Sequence, residues 1–420
     1  MRKAMTLFLP VMALLPAAVF AQKMTTAELL GMAKEDAQSA KFHAAVAATL
    51  GEGEINKGTA VAGIGPEFVW AVAADAQPAL FIDDEPAQDV RRVRAPSFWI
   101  FTGRMKTGTS HSFHYLVNGR RFGGRNDVAA YLPECYAQTG VPQGALSEKL
   151  LHTSKIYDGM ISEWWIYVPA QYDAARPAAV MVWQDGQGNI QRDGGSRTMN
   201  VVDNLINQKK IPVMIQVFIA PGTRGAERLR SIQYDTVNDR YGRFLRDEIL
   251  AEVASRYNIR RDGYSRAIAG NSSGGICAFN VAWHMTDQFS RVLSRIGSFT
   301  SIQWRPGEID GGNVYPFKVR KEPKRNIRVW LQDGSEDLEN NHGSWPLQNI
   351  QLANSLKMRG YDFHLSWGNG THNGAHGNAE LPEAMTWLWR DYDPAQTEQN
   401  FEQEASEQAR PMFRVKITNR

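Results

Sequence analysis

Gly270-Asn271-Ser272-Ser273-Gly274 places a serine between two glycines in the pattern Gly-x-Ser-x-Gly. The residues before it, 265–269, read as a strand, and those after it, 275–279, read as a helix. A strand-to-helix turn of this kind holds its serine in a strained conformation and lifts the hydroxyl toward a substrate. The flanking glycines remove Cβ atoms that would clash there. The chemistry this permits is attack by the Ser272 hydroxyl on a carbonyl, with the Ser273 N–H aimed at the oxyanion that develops. Ser273 as the nucleophile would lose the spacing to Gly270. The five-residue pattern alone is weak, because a structural Gly-rich turn produces it too. Its strand–helix context is what favours the reactive reading.

A serine hydroxyl needs a base, and the base needs an orienting acid. Two later strand ends supply them in the order nucleophile, acid, base. A strand over 327–331 runs into Gln332-Asp333-Gly334-Ser335-Glu336-Asp337, and a strand over 363–367 runs into Gly368-Asn369-Gly370-Thr371-His372. Asp337, at the far side of its loop, is the expected acid; Asp333 and Glu336 are the alternatives. His372 is the expected base, and His376, one turn later, is its rival. His364 falls within the strand and reads as a packed or surface residue. His342 lies beyond the acid loop, as a cleft-lining group or an ordinary loop histidine. The second oxyanion donor is expected at Gly186 or Gln187, in the loop 184–188 after a strand over 179–183; a plain turn is the bland reading of that loop. No Cys/His spacing resembles a zinc site, so neither metal nor cofactor is expected.

These loops need a scaffold that delivers them to one edge. From about residue 150 onward, β-rich runs each end in a Gly-containing turn and alternate with helical stretches. That alternation predicts an α/β fold with a mostly parallel central sheet covered on both faces, whose active residues sit at the carboxyl ends of strands. Residues 66–135 read differently, as short alternating segments with an Asn118-Gly119 hairpin signal, and predict a small antiparallel β-sandwich. The Ala-rich stretch 25–50 predicts one or two helices, with Thr25 or Thr26 as cap. The expected division is a signal peptide over 1–21, a helical segment over 22–60, a β-sandwich over 61–145, a catalytic domain over 146–395, and a polar, mobile tail over 396–420.

The leader carries Arg2 and Lys3, then an apolar run with Pro10 and Pro16, then Val19-Phe20-Ala21. It predicts export with cleavage after Ala21, and its run is shorter than the roughly 18–20 residues a membrane span needs. No later segment reads as a span. The protein is expected in the periplasm or outside the cell. A formal net charge of +3 over 420 residues, without a dense basic run, excludes a nucleic-acid partner. Cys135 and Cys277 are the only cysteines and are expected as free thiols.

The chain resembles the enterochelin-esterase-like branch of the α/β-hydrolases, which includes feruloyl and acetyl-xylan esterases. The resemblance runs from about 60 to 392. It is carried by Trp183-Gln184-Asp185-Gly186-Gln187, Arg230-Ser231-Ile232-Gln233-Tyr234, Gly270–Gly275, Gly334–Asp337 and Gly370-Thr371-His372, in that order. It implies Ser272, Asp337 and His372 as a triad, and an immunoglobulin-like or E-set-like module for the sandwich. Gln233 stands where an acidic residue is expected, and Thr371 where glycine is usual. The implied activity is hydrolysis of acyl or feruloyl esters of carbohydrates. A siderophore trilactone is the alternative substrate, acyl transfer an alternative outcome, and an inactive glycan-binding protein the alternative of another class. Arg230, His342, Trp304 and His376 are possible substrate contacts; Trp345 and Phe299 also suit aromatic or sugar rings but read equally as core. Arg230 reads equally as half of a structural ion pair.

Overall fold

The computed structural model describes residues 23–411. The leader and its cleavage point lie outside the described residues. Six strands run parallel in the spatial order Met214–Ile219, Ala179–Gln184, Arg266–Asn271, Arg291–Arg295, Arg328–Gly334 and Asp362–Gly368, and Ile161–Val168 pairs antiparallel at one side. The fold is of the α/β-hydrolase type, as expected.

Every residue of Ala179–Gln184 is buried. Val180 and Val182 face one core, while Ala179, Met181 and Trp183 face the other. That two-residue period is what a sheet covered on both faces requires. Ser273–His284 packs on the first face, with Leu352 and Leu356 of Trp345–Met358; Thr198–Asn207 and Leu381–Trp389 pack on the second. Strand order reverses between Ala179–Gln184 and Arg266–Asn271. The crevice of such a sheet opens at that switch point, and Ser272 follows directly after it.

The strand Arg291–Arg295 was not legible as one, because three of its five residues are polar. All five are buried. The Arg291 guanidinium lies within 5.5 Å of the rings of Tyr264, Trp389, Tyr392 and Phe401, and its Nε donates to the Leu388 carbonyl at 3.0 Å. Aromatic faces and a carbonyl thus replace water around the charge. Between the helices Arg240–Phe244 and Leu250–Arg256 the backbone makes a wider turn, Leu245–Ile249. The short helix Glu52–Lys57 falls within the expected helical segment 22–60; the short helices Tyr315–Lys321 and Ala375–Ala379 were not foreseen.

The sandwich is two four-stranded antiparallel sheets. One holds Ala60–Ile64, Glu67–Val72, Trp99–Arg104 and Arg91–Arg94; the other holds Glu85–Pro86, Ala79–Ile82, Thr109–Val117 and Arg120–Ala130. Phe68, Trp70, Phe101, Phe113 and Tyr115 fill the space between them. Asn118 and Gly119 take φ of 51° and 75°, the left-handed pair that a two-residue hairpin needs. Thr26–Asp36 and Ala40–Leu50 cover the outer face of the first sheet, and Thr25 forms a capping box with Glu28.

The described part of the tail, 396–411, departs from the mobile tail that was expected: Phe401 is buried, with the guanidinium of Arg328 4.8 Å from its ring. The Phe401 N–H donates to Asn326 at 3.0 Å, and Asn326 donates to the Gln399 carbonyl at 2.7 Å. Polar composition hid one aromatic anchor. Phe401→Ala is expected to cost about 3 kcal/mol in urea unfolding, the range for deleting a buried phenyl ring; a loss below about 0.5 kcal/mol would mean the tail merely rests on the surface.

Candidate active site

Ser272 has φ 58° and ψ −124°, a backbone conformation that few non-glycine residues adopt. Two features enforce it. A Cβ at Gly270 would sit 2.3 Å from the backbone of Gly274, so the turn closes only with glycine there. The Ser272 N–H donates to the Arg295 carbonyl at 3.0 Å, and its own carbonyl accepts from Ser298 N–H at 3.0 Å. The turn is therefore clamped to the end of the neighbouring strand. Ile296, in that neighbouring segment, also has positive φ, 44°, strained for a β-branched residue.

The structure brings Ser272, His372 and Asp337 together. His372 Nε2 lies 2.7 Å from Ser272 Oγ, and His372 Nδ1 lies 2.5 Å from Asp337 Oδ1. A carboxylate only accepts, so Nδ1 carries the proton and Nε2 is left to accept from the serine hydroxyl. The Asp337 side chain is fully buried. The acid and histidine strands are adjacent and in register, Gly334 opposite Gly368. A Cβ at Gly334 would meet the Gly370 carbonyl oxygen at 2.2 Å, so the two loops lie in direct contact.

Asp333 and Glu336 take other places. Glu336 points to solvent. Asp333 is fully buried, accepts from Gly334 N–H at 2.8 Å, and bonds to Asp337 through its side chain. Burial, and then the Asp337 carboxylate beside it, push the Asp333 carboxyl up to about 10. It is neutral at pH 7 and carries the proton that a bond between two carboxyl groups requires.

His376 neither reaches Ser272 nor lines a cleft, which corrects both roles considered for it. It is buried, 3.2 Å from Glu380, and touches Gln332 and Ser366. His364 stacks on Trp330 at 4.1 Å. The His342 carbonyl accepts from the Ser301 N–H and hydroxyl, both at 2.9 Å. Phe299 is core, packed on Phe279 and Tyr315. Trp345 is buried too, against the His372 ring at 5.6 Å. Trp304 alone of these aromatics is exposed, at 51%.

On the other side of Ser272, the Ser273 N–H is a leading amide of Ser273–His284, where no intrahelical partner exists. The loop carrying Gly186 and Gln187 lies beside it: a Cβ on Gly274 would be 3.2 Å from Asp185 Oδ2. Gly186 is a glycine because a Cβ would sit 2.2 Å from the Ile219 nitrogen. Gln187 is exposed. Arg230 forms a two-bond pair with Asp185, at 2.8 and 2.7 Å, so its charge is matched within the protein. Gln233, where an acid was expected, is buried, and its side-chain oxygen accepts from Gly222 N–H at 2.7 Å.

Sequence reasoning missed Ser298. Its Oγ is 3.2 Å from Ser272 Oγ and accepts from Trp345 Nε1 at 3.0 Å. Recognising Arg291–Arg295 as a strand was the signal that could have found it, since Ser298 lies just past that strand's carboxyl end. A cavity of about 710 Å³ lies at the opposite edge, lined by Ala178, Ala179, Pro212 and Val213 at the amino ends of strands, and takes no part in this geometry. Cys135 and Cys277 are buried and free. Among the described residues, no cluster of three or more His, Cys, Asp or Glu is placed to hold a metal ion, and no helix is long and apolar enough to cross a membrane.

Asp235 gives the site a pH signature. It is buried beside Ser231 and Ser273, and burial raises its carboxyl from 3.8 to about 6. A folded-state value above the unfolded one means its contribution is complete below about pH 4 and is lost as pH rises to about 6. The full loss is about 3 kcal/mol. The stability advantage of Asp235→Asn over the parent is therefore expected to grow by about 2 kcal/mol between about pH 4.5 and pH 7 and to be flat above, in urea titrations; a pH-independent difference would exclude this account.

Residues 162–388 match the family model "Esterase: Putative esterase". Among solved structures, the enterobactin esterase of Shigella flexneri, in the presence of 2,3-di-hydroxy-N-benzoyl-glycine, superposes with TM-score 0.52 at 16% identity over 77% of this chain and 93% of that one. The ferric enterobactin esterase of Salmonella typhimurium gives 0.50 at 14% identity, over 77% and 93%. A ferulic acid esterase from Anaeromyces mucronatus gives 0.47 at 16% identity, over 61% and 94%. At these identities the likeness is one of fold.

Proposed function

Because this chain belongs to the esterase family and is an ester hydrolase, we propose that it works through an acyl-enzyme on Ser272, with His372 as base and Asp337 as its orienting acid. The observation that carries this reading is the His372 ring, bonded through one nitrogen to Ser272 Oγ at 2.7 Å and through the other to Asp337 at 2.5 Å. His372 Nε2 takes the hydroxyl proton as Oγ attacks the ester carbonyl. The oxyanion rests on the Ser273 N–H and an amide at Gly186 or Gln187. Collapse expels the alcohol, which takes the proton from Nε2. Water then attacks the acyl-enzyme by the same proton path, releasing the acid and restoring Ser272. Asp337 keeps its charge throughout and holds the Nδ1 proton.

The proposed substrate is an aromatic acyl ester of a carbohydrate. Trp304, Ile232 and Leu338 are exposed, Leu338 directly after the proposed acid Asp337 and Ile232 in the short helix that starts at Arg230, and they offer apolar surface to a phenolic ring. Arg230 is already neutralised by Asp185, so it adds little pull on a polyanionic ferric catecholate. Export by way of the leader 1–21 to the periplasm or beyond belongs to the same proposal.

Ser272→Ala is expected to lower kcat on p-nitrophenyl acetate by about 10⁴-fold or more and to abolish fluorophosphonate labelling. Retained turnover would remove Ser272 from the reaction, and an unlabelled parent protein would favour a purely glycan-binding role. Asp337→Asn is expected to lose about 10⁴-fold in kcat, since the amide favours the wrong tautomer. Asp333→Asn should lose less than about tenfold, because it replaces a group already neutral. The reverse order would make Asp333 the acid. Turnover of methyl ferulate above acetylated xylan and above a ferric catechol trilactone is the expected substrate ranking; preference for the trilactone would overturn it.

A further inference from the structure

The histidine loop is held from two sides. On its inner side Gly334 of the acid loop presses on Gly370. On its outer side the partner is the β-sandwich. The Thr371 N–H donates to Asp127 Oδ1 at 3.1 Å, and the Thr371 hydroxyl donates to Asp127 Oδ2. One carboxylate therefore fixes both the backbone and the side chain of the residue immediately before His372.

The sandwich is shaped to make this contact. His111 pairs with Val128 and Phe113 with Arg125, so Asn126 and Asp127 together oppose the single residue Ser112. That is a β-bulge, and bulges re-aim side chains that a regular strand would direct elsewhere. Asp127 takes φ 55°, a conformation that aspartate tolerates better than most residues. A second contact lies beside it. Asn369 Nδ2 donates to Asp83 Oδ1 at 3.4 Å. Asp83 is itself fixed by His111 Nδ1 at 2.6 Å and by Ser112 N–H at 2.9 Å. Leu132, just past the sandwich, donates its N–H to the Ala379 carbonyl at 3.3 Å, at the far end of the short helix after His372.

We infer that Asp127 of the β-sandwich is a positioning residue for His372, so that the proposed active centre is complete only with the sandwich in place. The inference rests on the Ser272–His372–Asp337 reading. Asp127 touches neither substrate nor the reacting atoms. It acts through Thr371, which sets where the His372 backbone starts and hence whether one ring can meet Ser272 and Asp337 together. A displacement of about 1 Å at such a group costs on the order of 10²-fold in rate. The departure from glycine at 371 has its explanation here, because only a hydroxyl-bearing side chain supplies the second bond.

The test uses the full chain, with kcat, KM and thermal midpoint measured for Asp127→Ala, Thr371→Val, Thr371→Ser, the double variant Asp127→Ala/Thr371→Val, and Ser272→Ala as reference. Expected are losses of about 10- to 100-fold in kcat for Asp127→Ala and Thr371→Val, with KM within about threefold. The double variant should be no worse than either single one, and Thr371→Ser should stay within about threefold of the parent because it keeps the hydroxyl. Thr371→Val lies outside the sandwich and decides the matter if Asp127→Ala does not fold. Full kcat in Thr371→Val, or losses that multiply in the double variant, would overturn the inference while an inactive Ser272→Ala leaves the triad reading standing. An active Ser272→Ala would instead remove the triad reading itself.

Discussion

A histidine ring can accept from a serine and donate to a carboxylate at the same time only if both partners lie at its two nitrogens, at hydrogen-bond distance. His372 meets that condition at 2.7 and 2.5 Å, with groups drawn from positions 272, 337 and 372 of the chain. Much of the catalytic unit serves this one constraint. The acid and the histidine come from adjacent parallel strands in register, so their loops leave the sheet side by side. The Ser335 N–H donates to the Gly368 carbonyl at 2.9 Å and carries the pairing one step past the strand ends. The serine comes from two strands away, and its turn must lean back across the strand end at Arg295.

That lean stores strain. Ser272 and Ile296 both have positive φ, on neighbouring strand ends that hydrogen-bond to each other. Such residues cost on the order of 1–3 kcal/mol each and persist where the surroundings over-determine them. Here the surroundings are a doubly covered sheet and a helix, Ser273–His284, whose residues from Ser273 to Trp283 are all buried. The clamp also delivers Ser298 to within 3.2 Å of the Ser272 hydroxyl. Trp345, which supports Ser298 with its N–H, rests edge-on against His372. One buried side chain thus braces both the serine side and the histidine side of the arrangement.

What the sequence made legible was whatever follows from local pattern. The Gly-x-Ser-x-Gly turn, the acid and histidine loops after later strands, the two covered faces, the Asn118-Gly119 hairpin and the Thr25 cap all rest on spacing within a few residues. Choosing Asp337 over Asp333 rested on its place at the far end of the loop, which geometry now explains: Asp337 reaches His372, while Asp333 sits deeper, protonated, behind it. The strand Arg291–Arg295 was hidden because burial of an arginine depends on rings from positions 264, 389, 392 and 401, which no local window contains. Phe401 was hidden for the converse reason. A single aromatic residue in a polar stretch carries no periodicity, yet the guanidinium groups of Arg291 and Arg328 both pack on its ring.

The same limit separates the two halves of the histidine loop's support. Gly334 and Gly370 announce a close approach through their residue type, because glycine at a strand end often marks one. Asp127 announces nothing, since an aspartate in a polar strand normally reads as solvated surface. Its partner lies 244 residues away. Only the bulge that turns Asp127 toward Thr371, and the left-handed backbone it adopts to do so, give the contact away. The two bonds from Thr371 to the Asp127 carboxylate join the sandwich's irregular strand to the loop that carries His372, so the position of that loop depends on both domains.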